Sequence, residues 1–416
     1  MPHHADLNET AAGLYRDLET LTIIDAHEHL PTESDRLKQP VDALTLFSHY
    51  CRGDLAASGL SQERNNFIFS DAPLAERWAA FKPYYQKIAN TAYVRAAHIA
   101  MEKFYGQHEL RDDNLETITA AMRSANTPGL YKRILRDTCH IETCLVNVDP
   151  FTEKDADGLL TPVCRLPWLS WGGSFTQLLE AYRGMLPREI VCVEDLQEAV
   201  RLCVRGIKRH GGVGCKMFVF SMGKPDMAVA RSVFETARRD ADFAKNLPHA
   251  NPLTDVLFDT AFDEMRIQGL VAAVHTGYWG DFRKLNPSGV IDMADRHPDL
   301  AFDVYHLGYP YVREAILLGK TRGNVYLNMC WTQIISPHFA REALVEMLEV
   351  VPSHKLIGFG GDYFVVEKVY GHLVLAREVI ARALAEKVAD GWFSTASAIA
   401  MAKKMLYDNP KGLYSL

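Results

Sequence analysis

Several common signatures are missing from this 416-residue chain. No strand-like run leads into Gly-x-Gly-x-x-Gly, and there is no Gly-x-x-x-x-Gly-Lys-Ser/Thr loop, so nucleotide binding has no support. Gly211-Gly-Val-Gly214 is glycine-rich. It precedes an apolar run instead of opening a helix, which is the wrong order for a phosphate loop. No Gly-x-Ser-x-Gly elbow marks a serine hydrolase. None of the eight cysteines forms a CxxC pair, which argues against zinc ribbons and thioredoxin-type redox chemistry. Scattered cysteines in so long a chain read as small buried apolar residues of a reducing compartment. No apolar run reaches the roughly 18 residues of a membrane span. Residues 1–9 are polar and carry no apolar signal core. Basic excess is absent too: the formal charge is -7, which offers nothing to nucleic acid or an anionic membrane. A soluble cytoplasmic protein acting on a small molecule is the expectation.

What is present is a series of short apolar runs ending in polar residues. They cover residues 21–25, 142–148, 190–193, 213–220, 270–274, 301–305, 324–328 and 355–359. They are rich in Val, Ile, Phe and Tyr and are mostly bounded by Gly, Asn or Asp, as strands are. Helical patterns lie between several of them. Asn251-Pro252 caps one over 253–268, and 310–318 and 339–350 read similarly. Alternating strands and helices imply parallel strands with crossover helices. Eight such strands favour an α/β fold of the (β/α)8 TIM-type barrel over an open sheet. Residues 41–137 do not fit a bare barrel and read as a helical insertion after the first strand, covering the barrel mouth. Residues 150–187, with Arg165, Trp168 and Trp171, read as an irregular binding loop or lid. One domain over 1–416 is the simplest organisation.

The chemistry centres on Asp25-Ala-His-Glu-His29. Residues two apart on a strand share a face, so His27 and His29 project together and can chelate a divalent ion. Glu28 points the other way, and Asp25 suits either a supporting hydrogen bond to a ligand or a strand-end turn. Three further runs end in metal-competent residues: His275, His306 and Asp362. In a barrel, reactive groups gather at such strand ends. A bound cation acidifies water and polarises a carbonyl. A carboxylate such as Asp362 can take and return the proton, and His306 can hydrogen-bond a developing oxyanion. Tyr278 and Trp279 follow His275 closely and can line a pocket. Arg165 suits an anionic substrate or ordinary loop packing, and Asn328 and Trp331 suit substrate contact or strand-end packing. Arg313 and Glu314 read as a helix start.

These motifs resemble the amidohydrolase superfamily, in its amidohydrolase-2 branch, and look closest to nodulin-like amidohydrolases found fused to glutamine synthetase. The resemblance is densest in Val274-His-Thr-Gly-Tyr278, in the run from His306 to Ala315, in 324–328, in Gly358-Phe-Gly-Gly-Asp-Tyr363 and in 371–377. Gly214-Cys-Lys-Met217 also resembles that group's fourth-strand lysine segment. The resemblance implies His27, His29, His275 and Asp362 as metal ligands. It implies that His306 polarises substrate or binds a second metal, and that Asp362 handles a proton. One zinc or other divalent ion is expected, or two if Lys216 is carboxylated. The implied activity is hydrolysis of an amide, lactone or related bond. Decarboxylation of a small carboxylic acid and isomerisation of a sugar acid stand as alternatives within the same superfamily. An anionic small-molecule substrate and a homo-oligomer are compatible with the sequence.

Overall fold

The computed structural model describes residues 8–152, 157–170, 172–218 and 223–416. Its eight strands are hydrogen-bonded in chain order: β1 (Ile23–Glu28), β2 (Ile141–Val148), β3 (Leu160–Arg165), β4 (Gly214–Phe218), β5 (Val271–His275), β6 (Phe302–Tyr305), β7 (Val325–Asn328) and β8 (Leu356–Ile357). The strands run parallel, with helices in the connections, so the fold is the expected (β/α)8 barrel. Among the described residues no helix is long and apolar enough to cross a membrane.

The chain forms two compact units. One comprises Met1–Cys144, Cys330–Glu346 and Gly358–Leu406, and the other Leu145–Met329, Met347–Ile357 and Tyr407–Leu416. In the first unit, all six residues of β1 are buried. The chain after β8 runs alongside β1: Ala26 N donates to Phe359 O (3.1 Å), Asp362 N to His27 O (2.9 Å) and His29 N to Tyr363 O (3.2 Å). The insertion after β1 is helical, as its pattern predicts, with helices at Leu74–Ile88, Ala92–Tyr105 and Leu115–Ala125 among others. Arg36, in the short helix Glu33–Lys38 that precedes it, ties the insertion to the long helix Val366–Ala389 through a buried ion pair. Arg36 Nη2 meets Glu367 Oε1 at 2.9 Å, Arg36 Nη1 donates to Asn126 (2.7 Å), and the Tyr105 hydroxyl donates to the same glutamate oxygen (3.0 Å). Removing one partner of such a pair strands a charge away from water.

In the second unit the strands keep strict register. Lys216 pairs with Arg165 and with Ala273, and His275 lies beside Phe218 and Tyr305. The helix expected over 253–268 is present as Pro252–Gln268. The Asn251 side chain accepts from Leu253 N (2.9 Å) and Thr254 N (3.2 Å), and Gly269 closes the other end at φ +63°.

One strand expectation is corrected. Residues 190–193 lead into the helix Val193–Arg209, with Cys192 at its N-cap. The third strand is Leu160–Arg165, inside the stretch read as irregular. Pro162 interrupts that run and disguises it. Proline lacks only the donor, however, and its carbonyl still accepts from Val213 N (3.0 Å). The run 190–193 is too short to separate a strand from the start of a buried helix face. The same irregular stretch also holds the helix Phe175–Ala181, opened by a Ser174/Gln177 capping box. The expected strand at 213–220 is described to Phe218; residues 219–220 and Trp171 lie outside the described residues.

Gly371 sits inside Val366–Ala389, where an added Cβ would collide with the carbonyl oxygen of Ala96 on the neighbouring helix. In an open helix, Gly→Ala gains about 1 kcal/mol from backbone entropy. Here the sign reverses: we expect Gly371→Ala to lose about 1–3 kcal/mol through overpacking. A lowered urea midpoint at unchanged slope would show it, and a raised midpoint would mean the helices part easily.

Candidate metal centre

In the first unit the strand period does what the sequence predicts. His27 on β1 and His29 just beyond it aim their Nε2 atoms at one carboxylate oxygen, Asp362 Oδ1, at 3.1 and 3.2 Å. The two rings stand edge to face, 4.9 Å apart. One ligand atom from each of the three residues lies within 4.8 Å of the others. Two imidazole nitrogens and a carboxylate oxygen so gathered match the donor set of a divalent transition metal. The site therefore fits such an ion.

Asp362 reaches this position through an uncommon backbone. Its φ is +62°, a conformation that aspartate tolerates better than most residues. The two preceding glycines are dictated by crowding. A Cβ on Gly360 would lie 2.5 Å from Cys330 Cβ and 3.0 Å from His27 N, and one on Gly361 would overlap Glu28 Oε1. Asp25 and Glu28 hold this turn. Asp25 Oδ1 accepts from Gly361 N (3.1 Å) and His27 N (3.3 Å), and Glu28 Oε2 accepts from Tyr363 N (2.6 Å). Asp25 thus braces His27 and the turn before Asp362 through their backbone. Both carboxyls are fully buried. Burial raises Asp25 to about 7 and pushes Glu28 well above the ordinary range, so the pair retains a proton near neutrality. Asp362 goes the other way. Burial alone would raise it, but His27 and His29 outweigh that and hold it well below the usual carboxylate range.

The insertion supplies a residue that sequence reasoning missed. The Tyr50 hydroxyl donates to Asp362 Oδ2 at 2.5 Å. Burial drives Tyr50 well above its ordinary pKa, so it remains a donor. Tyr50 stacks on Tyr93, with centroids 5.0 Å apart and planes 11° apart. The Tyr93 hydroxyl accepts from Trp331 Nε1 (2.9 Å). Trp331 is therefore part of a buried aromatic wall behind Asp362. His49 stacks on Tyr50 at 3.9 Å and packs on Phe364 at 4.5 Å; burial lowers it to about 3, so it is neutral.

The second unit brings together the other predicted residues. His306 Nε2 lies 3.0 Å from His275 Nδ1. The His275 ring packs against Phe218 (4.5 Å) and Trp279 (6.3 Å). His306 and Leu307 both have positive φ, +65° and +47°. Lys216 is buried on β4, its Nζ 4.3 Å from the centre of the Tyr305 ring. Asp303, on β6, accepts on Oδ2 from Tyr414 (2.7 Å) and Asn328 (3.0 Å), and burial raises it to about 7. Asn328 therefore braces a neighbouring carboxyl. Arg165 is taken up by Asp149, which it reaches at 2.8 and 3.2 Å. Tyr278 and Trp279 are half exposed and Trp168 is buried. Arg313 and Glu314 open the helix Val312–Thr321, as expected.

Fold and site together define a barrel protein with a histidine–histidine–aspartate group able to hold a metal ion. Residues 177–416, more than half of the chain, match the Amidohydrolase family (Amidohydro_2), and the chain belongs to that family. Protein fluG of Emericella nidulans is 29% identical over 148 residues, 34% of this chain and 17% of fluG. The chain thus spans less than a fifth of that relative's length. The structure is similar to a uronate isomerase from Thermotoga maritima, with TM-score 0.81, 18% identity and 98% of both chains covered. It is also similar to a glucuronate isomerase from Caulobacter crescentus, with TM-score 0.74, 18% identity and 98% and 94% covered. A proposed metal-dependent hydrolase from Lactobacillus casei superimposes with TM-score 0.66 at 19% identity, covering 97% of each chain.

Two substitutions separate ligand from support. His29→Ala should leave the protein nearly free of added divalent metal after dialysis. Tyr50→Phe should keep the ion but weaken its binding about 10–100-fold, the usual effect of losing a ligand's hydrogen-bond partner. Competition with a chromophoric chelator measures both, and unchanged affinity in both variants would contradict the site.

Proposed function

We propose that the protein hydrolyses an amide, lactone or related bond of a small molecule, using one zinc ion held by His27, His29 and Asp362. The observation that carries this reading is the convergence of three ligand atoms within 4.8 Å. Zinc suits two imidazoles and a carboxylate, and when bound it would supply a Lewis acid and a water whose pKa is lowered to about 7. Asp362 takes the proton of the attacking water and returns it to the leaving group. Tyr50 fixes the orientation of that carboxylate through Oδ2 and stays protonated while it does so. We keep His275 as a further imidazole ligand and give His306 the hydrogen bond to the substrate oxygen, on the strength of their strand-end motifs. Lys216 lies over the face of Tyr305, a setting that favours an ammonium. Carboxylation requires the neutral amine, so this contact supports a single ion. Every cysteine is a thiol and seven of the eight are buried, which supports a reducing, cytoplasmic setting.

A second reading is isomerisation of a sugar acid. It is favoured by the end-to-end likeness to the two uronate isomerases, which covers 98% of this chain in each case.

The two readings differ in the fate of water. With a panel of lactones, N-acyl compounds and uronates in 18O-labelled water, hydrolysis adds water to the substrate and places one heavy oxygen in the product. Isomerisation leaves the molecular formula unchanged. We expect heavy product from metal-loaded protein, none after chelation, and a loss of about 10²–10⁴-fold in Asp362→Asn. Turnover of uronates alone, without added mass, would replace the first reading by the second.

A further inference from the structure

The turn that carries Asp362 also fixes an aromatic ring at the surface. Tyr363 is clamped on both sides: its N–H donates to Glu28 Oε2 (2.6 Å), and its carbonyl accepts from His29 N (3.2 Å). The Tyr363 side chain is buried, and so is Val365, the N-cap of the helix Val366–Ala389. Phe364, between them, is left 49% exposed. One exposed aromatic is ordinary on a protein surface, but the surroundings of this one are not. Its ring lies 5.2 Å from that of His29 and 4.5 Å from that of His49, and those two stand 6.5 Å apart. Among the ligand side chains His27 is 1% exposed and Asp362 5%, while His29 is 17% exposed. The ligand group therefore opens to solvent on the His29 side, which Phe364 flanks. The rings that meet there carry no charge. His49 is neutral, and a histidine that ligates a metal is neutral too. Lys368, whose charge reaches His49, is itself fully buried, with its Nζ 4.6 Å from the centre of the Tyr363 ring and 3.4 Å from Ser48 O.

We propose that Phe364 is the specificity-determining wall of the substrate site, and that the substrate carries an uncharged aryl ring beside the bond that is cleaved. This rests on the reading of His27, His29 and Asp362 as a hydrolytic metal centre. A substrate group that reaches the ligand atoms enters from the His29 side, where its substituent meets the exposed Phe364 ring. Covering that ring with a second one removes apolar surface from water. Aromatic pairs at spacings of 4.5–7 Å gain further from their quadrupoles. A carboxylate laid against the same rings would lose hydration and gain no partner.

Calorimetric titration of the zinc-loaded protein with three hydroxamates tests this without turnover. Benzohydroxamate, acetohydroxamate and succinate monohydroxamate chelate zinc through the same group and differ in the substituent: phenyl, methyl or a carboxylate arm. Benzohydroxamate should bind at least about tenfold more tightly than acetohydroxamate, and the carboxylate-bearing probe no more tightly than acetohydroxamate. Phe364→Ala should bring benzohydroxamate and acetohydroxamate to within about threefold of each other, and Phe364→Tyr should keep the preference. The ratio is what is read, so a loosening of His29 that weakens both probes alike does not imitate the effect. His29→Ala should bind none of the three. A phenyl preference that persists in Phe364→Ala, equal affinities in the parent, or tightest binding of the carboxylate-bearing probe would overturn the proposal and leave the metal centre in place. Binding of no probe by the parent would contradict the metal centre itself, and the proposal with it.

Discussion

A single backbone hydrogen bond, from Asp362 N to His27 O, sets the geometry of the candidate centre. It clamps the chain leaving β8 against the chain of β1. The aspartate carboxylate is thereby brought to the two histidines that β1 presents. The turn that permits this is crowded on every side. Gly360 and Gly361 leave no space for a Cβ, Asp362 takes a left-handed conformation, and Asp25 and Glu28 occupy their carboxyls with the turn's own amides. The conformational cost is met by hydrogen bonds made in the same place.

This explains how β1 can bury an acidic pair and a histidine side by side. Buried polar groups are costly unless they are partnered. Here the partners belong to the turn, so burial lends the ligand group rigidity. Tyr50 extends the logic outward. It comes from the insertion, and its stacking on Tyr93 and the Tyr93–Trp331 hydrogen bond build a wall that fixes the hydroxyl facing Asp362. The insertion is therefore part of the site's scaffold as well as a decoration of the barrel.

Much of this was legible in the residues themselves. The two-residue period puts His27 and His29 on one side, and Asn251-Pro252 marks a helix start by cap chemistry alone. Strand-end reasoning also pointed to Asp362, which the turn after β8 does bring to the two histidines. Other features were hidden for definite reasons. Pro162 breaks the apolar run of the third strand, although only its missing amide matters and its carbonyl still pairs. Residues 190–193 mimic a strand by composition, but only Val193 is buried: Val191 is exposed and Cys192 is the N-cap of the helix that follows. Tyr50 lies 312 residues from its partner Asp362, and no local period connects the two. The role of the Gly-Gly pair before Asp362 is steric, set by Cys330, His27 and Glu28, and sequence spacing does not record such crowding.

The account turns on a metal held by imidazole and carboxylate in a protein that also contains eight cysteines. X-ray absorption at the zinc edge of the loaded protein tests that most directly. The account predicts a shell of nitrogen and oxygen at about 2.0–2.2 Å, with the outer scattering of at least two imidazoles and no sulfur. A sulfur shell at about 2.3 Å, or a nitrogen and oxygen shell without imidazole scattering, would contradict it.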